Sequence, residues 1–381
     1  MIYLDHAASS WPKPKQVIDK IATFLTENGA NPGRGNHQMS EMANGEIYQT
    51  RMKLANLFHI QDPNQIVFFM NTTQALNQGI KGLLLSGDHV ITTVLEHNSI
   101  RRPLEYLKKQ IGIEVTYLSV DRSGVVSLES IEKEIKPNTK LIAISHASNV
   151  LGSIQPIEQI GKIAKQRGIY FLVDGAQTAG RYDINVQKMN IDLLVFPGHK
   201  GLLGPQGVGG LYIDSNLQLT PFIHGGTGGG YSEDADQPSQ SPQRYESGTL
   251  NTVGIVGLGA ALDYLDEMDI EILRKKEWEL TRRILDGLNQ IDGIEWYGPN
   301  IAQERVSVVT FSLKDVDPAE VSTILDQSYQ IAVRGGFHCS PLIHHSMRMT
   351  KGGVRVSVGH TNTFEEVDAF LSAMKEIALY F

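Results

Sequence analysis

An α/β architecture is predicted: a large domain whose mainly parallel central sheet is flanked by helices, with a smaller α+β domain at the C-terminal end. Three observations predict it. Short β-rich runs alternate with helix-periodic runs from about residue 64 to 213, and those strand runs are apolar on both faces. The alternation then breaks at a Gly-, Ser- and Pro-rich stretch and resumes in a different order. Length sets the scale, because 381 residues exceed what one simple core accommodates. The expected division is 15–255 for the large domain, with 1–14 and 256–381 forming the small one.

The strands expected in the large domain are QIVFFM (65–70), DHVITTV (88–94), EVTYLSV (114–120), KLIAIS (140–145), YFLVD (170–174), DLLVF (192–196) and GVGGLYI (207–213). Between several of them, TQALNQGIKGLL (73–84), SIRRPLEYLKKQ (99–110), SLESIEKEI (127–135) and PIEQIGKIAKQRG (156–168) carry apolar residues at helical spacing. A sheet built this way binds its ligand beyond the carboxyl ends of its strands. The run HGGTGGGYSEDADQPSQSPQRYESGT (224–249) has little periodicity, and a long loop in a compact domain is usually functional or disordered. Helix patterns follow at 250–268 and 271–290. Strands near EWYG, VSVVTFSL, IAVR and VRVSVG, with helices near PAEVSTILDQ and EEVDAFLSAMKEIALY, complete the smaller domain.

The net charge of -8 argues against nucleic acid, which is bound through clustered Lys and Arg. No apolar run approaches the length of a membrane span, and MIYLDHAAS does not read as a signal peptide. With one cysteine there is no intramolecular disulfide, which fits a reducing compartment, and a cytoplasmic location is expected. Small molecules and proteins are the expected partners.

The most informative segment is YFLVDGAQTAGRYDINVQKMNIDLLVFPGHKGLLGPQG (170–207). One apolar strand ends in Asp174 and a second ends in Pro197-Gly198-His199-Lys200, so an acid and a lysine reach the same edge of one sheet. Singly, each has a plain reading: an acid at a strand end caps a helix, and a lysine in a glycine turn is solvated. Together they suit pyridoxal phosphate (PLP), in which a lysine holds the cofactor as a Schiff base and a carboxylate keeps the pyridine nitrogen protonated. Asn71-Thr72-Thr73-Gln74, between a strand and a helix, offers N–H groups and hydroxyls to a phosphate. His97 in EHNS follows another strand and is placed to stack on a flat ring.

The chain resembles the class V, fold-type I PLP enzymes, and most of all the cysteine desulfurase and selenocysteine lyase group. The resemblance is carried by YLDHAASSWPKP, NPGRGNH, NTTQALN, LEHNSIRRP, HASNVLG, VDGAQ, GHKGLLGPQG, YESGTLNT, RGGFHC and VRVSVGHTNT, in that order along nearly the whole length. It implies that Lys200 binds PLP covalently, Asp174 pairs with the ring nitrogen, Gln177 bonds the phenolic oxygen, His97 stacks on the ring and Asn149 lies beside it. Thr72, Thr73 and His199 would contact the phosphate, completed by Thr249 from a second subunit of a homodimer. A plain N-cap for the following helix is the other reading of Thr249. Substrate would be held by Arg355, Asn149 and Arg34. Two departures from the group stand out: Pro197 where a hydroxyl residue is usual, and Phe337 where a histidine is frequent.

Cys339, the only cysteine, lies in RGGFHCSPLIHH beside His338, His344 and His345. A metal site lacks a second cysteine or a CxxC pair, and no metal is expected. A buried space-filler is possible for a free cysteine, but Gly335-Gly336 and Pro341 predict a mobile loop. The resemblance makes Cys339 the nucleophile that takes sulfur from PLP-bound cysteine as a persulfide, leaving alanine, with neighbouring histidines supplying charge or accepting the proton. A protein sulfur acceptor would follow. Selenocysteine lyase, another PLP C–S lyase and an aminotransferase remain alternatives within the fold; a non-catalytic scaffold is the alternative outside it.

Overall fold

The computed structural model describes residues 1–33, 35, 37–228 and 233–381. Strand β1 (Ile2–Tyr3) opens the chain, followed by α1 (Lys15–Glu27) and α2 (Gln38–Leu57). Then come β2 (Ile66–Phe69), α3 (Thr72–Leu83), β3 (His89–Thr93), α4 (Asn98–Ile111), β4 (Glu114–Leu118), α5 (Leu128–Lys133), β5 (Thr139–Ser145), α6 (Ile157–Arg167), β6 (Tyr170–Asp174), β7 (Leu193–Pro197) and β8 (Gly209–Ile213). These strands form a seven-stranded sheet in the order β2-β8-β7-β6-β5-β3-β4. The expected α/β architecture with a mainly parallel sheet is present. The exception is β8, antiparallel to both β7 and β2. Its connection to β7, residues 198–208, holds no helix and is too short for the crossover a parallel return needs.

Side-chain alternation sorts the strands' residues into two cores. Ile142, Ile144, Phe171, Val173, Leu194 and Phe196 join one cluster with α6 and the later helix α7 (Thr252–Glu267), while Leu141, Ala143, Leu172, Leu193 and Val195 join another with α3 and α4. Burial on both faces explains why the central strands read as continuous apolar runs. α4 and α6 end at Gly112 and Gly168, whose φ of 72° and 65° give the left-handed turn that halts a helix.

The second part of the chain contributes α8 (Ile270–Leu288), β9 (Ile294–Tyr297), β10 (Val308–Leu313), α9 (Pro318–Tyr329), β11 (Ile331–Ala332), β12 (Arg334–Gly336), α10 (Pro341–Ser346), β13 (Gly353–Ser357) and α11 (Phe364–Tyr380). A four-stranded antiparallel sheet, β12-β13-β10-β9, packs with α8, α9 and α11 around its own core. β1 pairs in parallel with β11, so the first residues are tied to this second sheet. α7 packs against α1 and α2 on the large sheet.

Two findings differ from the sequence reading. α2 buries Ser40, Thr50 and Arg51 alongside Ala43, Ile47, Leu54 and Ala55, so polar residues break up the apolar stripe that announces a helix. The stretch around Cys339 is no mobile loop: Gly335 and Gly336 lie in β12, Pro341 opens α10, and only Phe337–Ser340 connects them. In the Gly-rich segment, Glu246 accepts both guanidinium nitrogens of buried Arg51 at 2.8 Å and the Phe68 amide at 2.7 Å, which pins that end of the loop to the large sheet.

Candidate active site

A cavity of about 240 Å3 opens at the carboxyl ends of β3, β5, β6 and β7, where the first turns of α3 and α4 meet residues from the second sheet. Asp174, Lys200, Gln177, His97, Asn149, Thr72, Thr73, His199 and Arg355 all line it, although they come from six separate stretches of sequence. Pro197 lines it as well.

Asp174 ends β6, buried, with one carboxylate oxygen accepting the Ala176 amide at 2.9 Å. Burial raises its pKa, and the Lys200 charge opposes the rise. Lys200 is brought down to about 8, chiefly by burial, with Arg355 and Arg334 adding to the effect and Asp174 opposing it. An amine so placed has a sizeable neutral fraction near neutral pH. Gln177 donates from Nε2 to the Ala7 carbonyl at 3.2 Å.

His97 caps α4, its Nδ1 accepting the Ser99 amide at 3.1 Å. Burial, then the charges of Lys200 and Arg334, lowers it to about 4. Neutral His97 therefore carries its proton on Nε2, and it meets the cavity as a donor rather than as a base. The Ser99 hydroxyl links it to Thr73, with the two oxygens 2.7 Å apart. Glu96, which sequence reasoning passed over, is fully buried; Thr93 and the hydroxyl and amide of Ser145 donate to it. Burial nevertheless pushes it up to about 7. It fastens the turn carrying His97 to the end of β5.

The residues present fit PLP. The Thr72 hydroxyl and His199 Nδ1 are buried and have no hydrogen-bond partner among the described residues, and both residues line the cavity. Thr72 opens α3, whose first N–H groups have no intrahelical acceptor, and His199 reaches the same cavity from the turn after β7, so orphaned donors converge where an anion is favoured. Lys200 and Asp174 supply the amine and carboxylate that the ring requires.

Arg355 on β13 is almost wholly buried, donating to Asp5 at 2.8 Å and to the Asn149 carbonyl at 3.1 Å. Its Nε has no partner among the described residues, leaving a donor in the site for a carboxylate. Asp5 was not anticipated, because 350 residues separate the pair in sequence. Arg34 lies outside the described residues.

Cys339 stands at the margin of this cavity, outside its lining. Arg334, which does line it, places Nη2 3.6 Å from the thiol sulfur. Burial keeps His338 and His344 from supplying the expected charge. His338 is driven down to about 2, first by burial and then by Arg355, and its Nε2 meets the Gly353 carbonyl at 3.0 Å. His344 is also lowered by burial. Arg334 is the cation beside the sulfur, and its place in RGGFHC, five residues before the cysteine, was the available signal.

Thr249 does not meet Lys200 within one chain. It is exposed, on a separate cavity of about 340 Å3 shared with Arg51 and Glu246. It is not an N-cap either, since Asn251 caps α7 by accepting the Gly254 amide.

A family model, aminotransferase class-V, matches residues 2–370. The chain belongs to the aminotransferase class-V family. A probable cysteine desulfurase of Pyrococcus abyssi is 35% identical, the alignment covering 99% of this chain and 94% of the relative. Among solved structures, an apo cysteine desulfurase from Thermococcus onnurineus NA1 superposes with a TM-score of 0.94 at 35% identity, covering 100% of this chain and 95% of that one. The S-sulfonic acid form of an Escherichia coli cysteine desulfurase gives 0.89 at 28% identity, covering 99% and 94%. Enzymes of this family depend on PLP, the cofactor that the cavity's donor set fits.

Proposed function

We propose that this class-V enzyme is a PLP-dependent cysteine desulfurase, converting L-cysteine to L-alanine and leaving the sulfur on Cys339 as a persulfide. The observation that supports it most is one cavity lined by Lys200, Asp174 and Arg355, with the chain's single thiol at its edge. The names of the relatives point to the same reaction.

PLP supplies an electron sink for the carbanion that forms when the substrate Cα loses its proton. Lys200 anchors the cofactor and, when released, moves that proton, a role its lowered pKa suits. Asp174 would hold the ring nitrogen protonated, and Gln177 would bind the phenolic oxygen. Thr72, Thr73 and His199 hold the phosphate. Arg355 and Asn149 orient the substrate carboxylate, and His97 offers its Nε2 proton to the face of the site. The Cys339 thiolate attacks the substrate sulfur: an S–S bond forms, the C–S bond breaks, its electron pair goes to the β-carbon, and protonation there completes alanine. No outside oxidant or reductant is needed.

Thr249 reads as a phosphate ligand donated to the neighbouring copy in a homodimer, since it is exposed and away from its own chain's cavity. A working thiol suits a reducing, cytoplasmic location, with an acceptor protein removing the persulfide sulfur. Product analysis tests the reading. Purified protein given cysteine or selenocysteine with a reductant should release alanine and sulfide or selenide, without any keto acid. Lys200→Ala should lose the cofactor's visible absorbance and all turnover, and Cys339→Ala should lose sulfide release from cysteine while keeping the colour. Sulfide at the wild-type rate from Cys339→Ala would end the persulfide reading; a need for a keto acid would make the enzyme an aminotransferase.

A further inference from the structure

The turn that carries Cys339 is held from two sides. His338 and Cys339 both adopt left-handed backbone angles, with φ of 49° and 60°, a pairing that side-chain-bearing residues rarely take. Something must hold it there. Asn149 Nδ2 donates to the His338 carbonyl at 2.7 Å, and Asn149 Oδ1 accepts the Ser340 hydroxyl at 2.8 Å, so one carboxamide spans the cysteine on both its flanks. On the other side, the Cys339 carbonyl accepts the Asn98 amide at 2.8 Å and thereby caps the start of α4, directly after His97. Asn149 is itself fixed, because Arg355 donates to its carbonyl at 3.1 Å and the Thr310 hydroxyl binds the next carbonyl, that of Val150.

We infer that Asn149 is a positioning residue for the nucleophile: its carboxamide, with Ser340, clamps the 338–340 turn and keeps the Cys339 sulfur beside Arg334 at the mouth of the cavity. This rests on the desulfurase reading for its consequence, though the clamp itself is a property of the turn. The arrangement makes Asn149 a joint between the arm that holds the substrate carboxylate and the thiol that must meet the substrate sulfur. A half-exposed thiol without the clamp leaves that position, because the left-handed pair relaxes toward ordinary backbone angles.

Ser340 provides the clean test, since it is wholly buried and does not line the cavity. The chain's single cysteine makes alkylation by iodoacetamide a readout of this one thiol. In the PLP-loaded enzyme, Ser340→Ala should be labelled several-fold faster than wild type. Its kcat for cysteine desulfuration should fall about tenfold or more, as expected when a reacting group is displaced by an ångström or less, with KM and cofactor absorbance unchanged. Asn149→Ala should show the same faster labelling, and the double variant should be labelled no faster than Asn149→Ala alone, because both substitutions remove one clamp. Labelling of Ser340→Ala at the wild-type rate, or rate effects that multiply in the double variant, would overturn the inference. Faster, non-multiplying labelling in an enzyme that releases no sulfur from cysteine supports the clamp and rejects the desulfurase reading instead.

Discussion

Arg334 illustrates how a single residue changes the chemistry read from a motif. The histidines around Cys339 look like a source of charge, yet burial makes His338 and His344 poor bases, and the guanidinium of Arg334 lies 3.6 Å from the sulfur. Arg334→Ala should therefore cut desulfuration at least about tenfold while leaving cofactor absorbance intact, since a thiolate stabilised by a neighbouring cation is the attacking form. Arg334→Lys should recover part of the loss, and steady-state kinetics beside an absorbance spectrum check both. Activity of Arg334→Ala equal to wild type would remove the guanidinium from the account. Asp174 and Lys200 were legible because motif and strand end coincide: Asp174 closes β6, and Lys200 follows β7 by three residues. Asp5 was not, because only folding brings it to Arg355.

Among elements, the turn at 148–153 between β5 and α6 joins the two sheets. Buried Arg305 donates to the carbonyls of Leu151, Tyr297, Pro299 and Val308, with no carboxylate partner among the described residues. Gly152 in that turn has φ of 74° and would put any Cβ 2.7 Å from the Val308 carbonyl oxygen, so the two segments meet backbone to backbone. Replacing Arg305 by Ala strands several buried acceptors and should lower stability by about 3 kcal/mol or more, read as a drop in the urea midpoint. Because the same turn carries Asn149, the variant should also lose turnover. A midpoint unchanged from wild type would show those carbonyls to be satisfied without the arginine. Elements with strong apolar patterns, such as β5 to β8, were legible from sequence; α2 was not, because Ser40, Thr50 and Arg51 interrupt Ile47 and Leu54 on its buried face.

For the molecule as a whole, the buried histidines set an acid limit. His6, His146 and His338 are held at about 3, 4 and 2, each mainly by burial, against an ordinary value of 6.5. Such groups bind fewer protons folded than unfolded, so the stability they contribute is complete above pH 6.5 and is lost as the pH falls toward 4. Glu96 and Asp192, raised to about 7 and 6, act with the opposite sign. His146→Gln isolates one contribution: its urea midpoint should be less acid-sensitive between pH 6.5 and 4, by up to about 3 kcal/mol. Parallel pH profiles for variant and wild type would exclude His146 from the acid response.

By itself the sequence determined the alternating strands and helices, the lysine and acid at neighbouring strand ends, and the single thiol in its motif. Those features are written in local periodicity and in short contiguous runs. Tertiary structure alone decided that Arg355 is braced by Asp5, that His97 faces the cavity as a donor, that Thr249 lies away from its own chain's Lys200, and that Asn149 grips the turn of Cys339. Each of these depends on burial or on contacts between residues far apart in the chain, and neither quantity exists until the chain has folded.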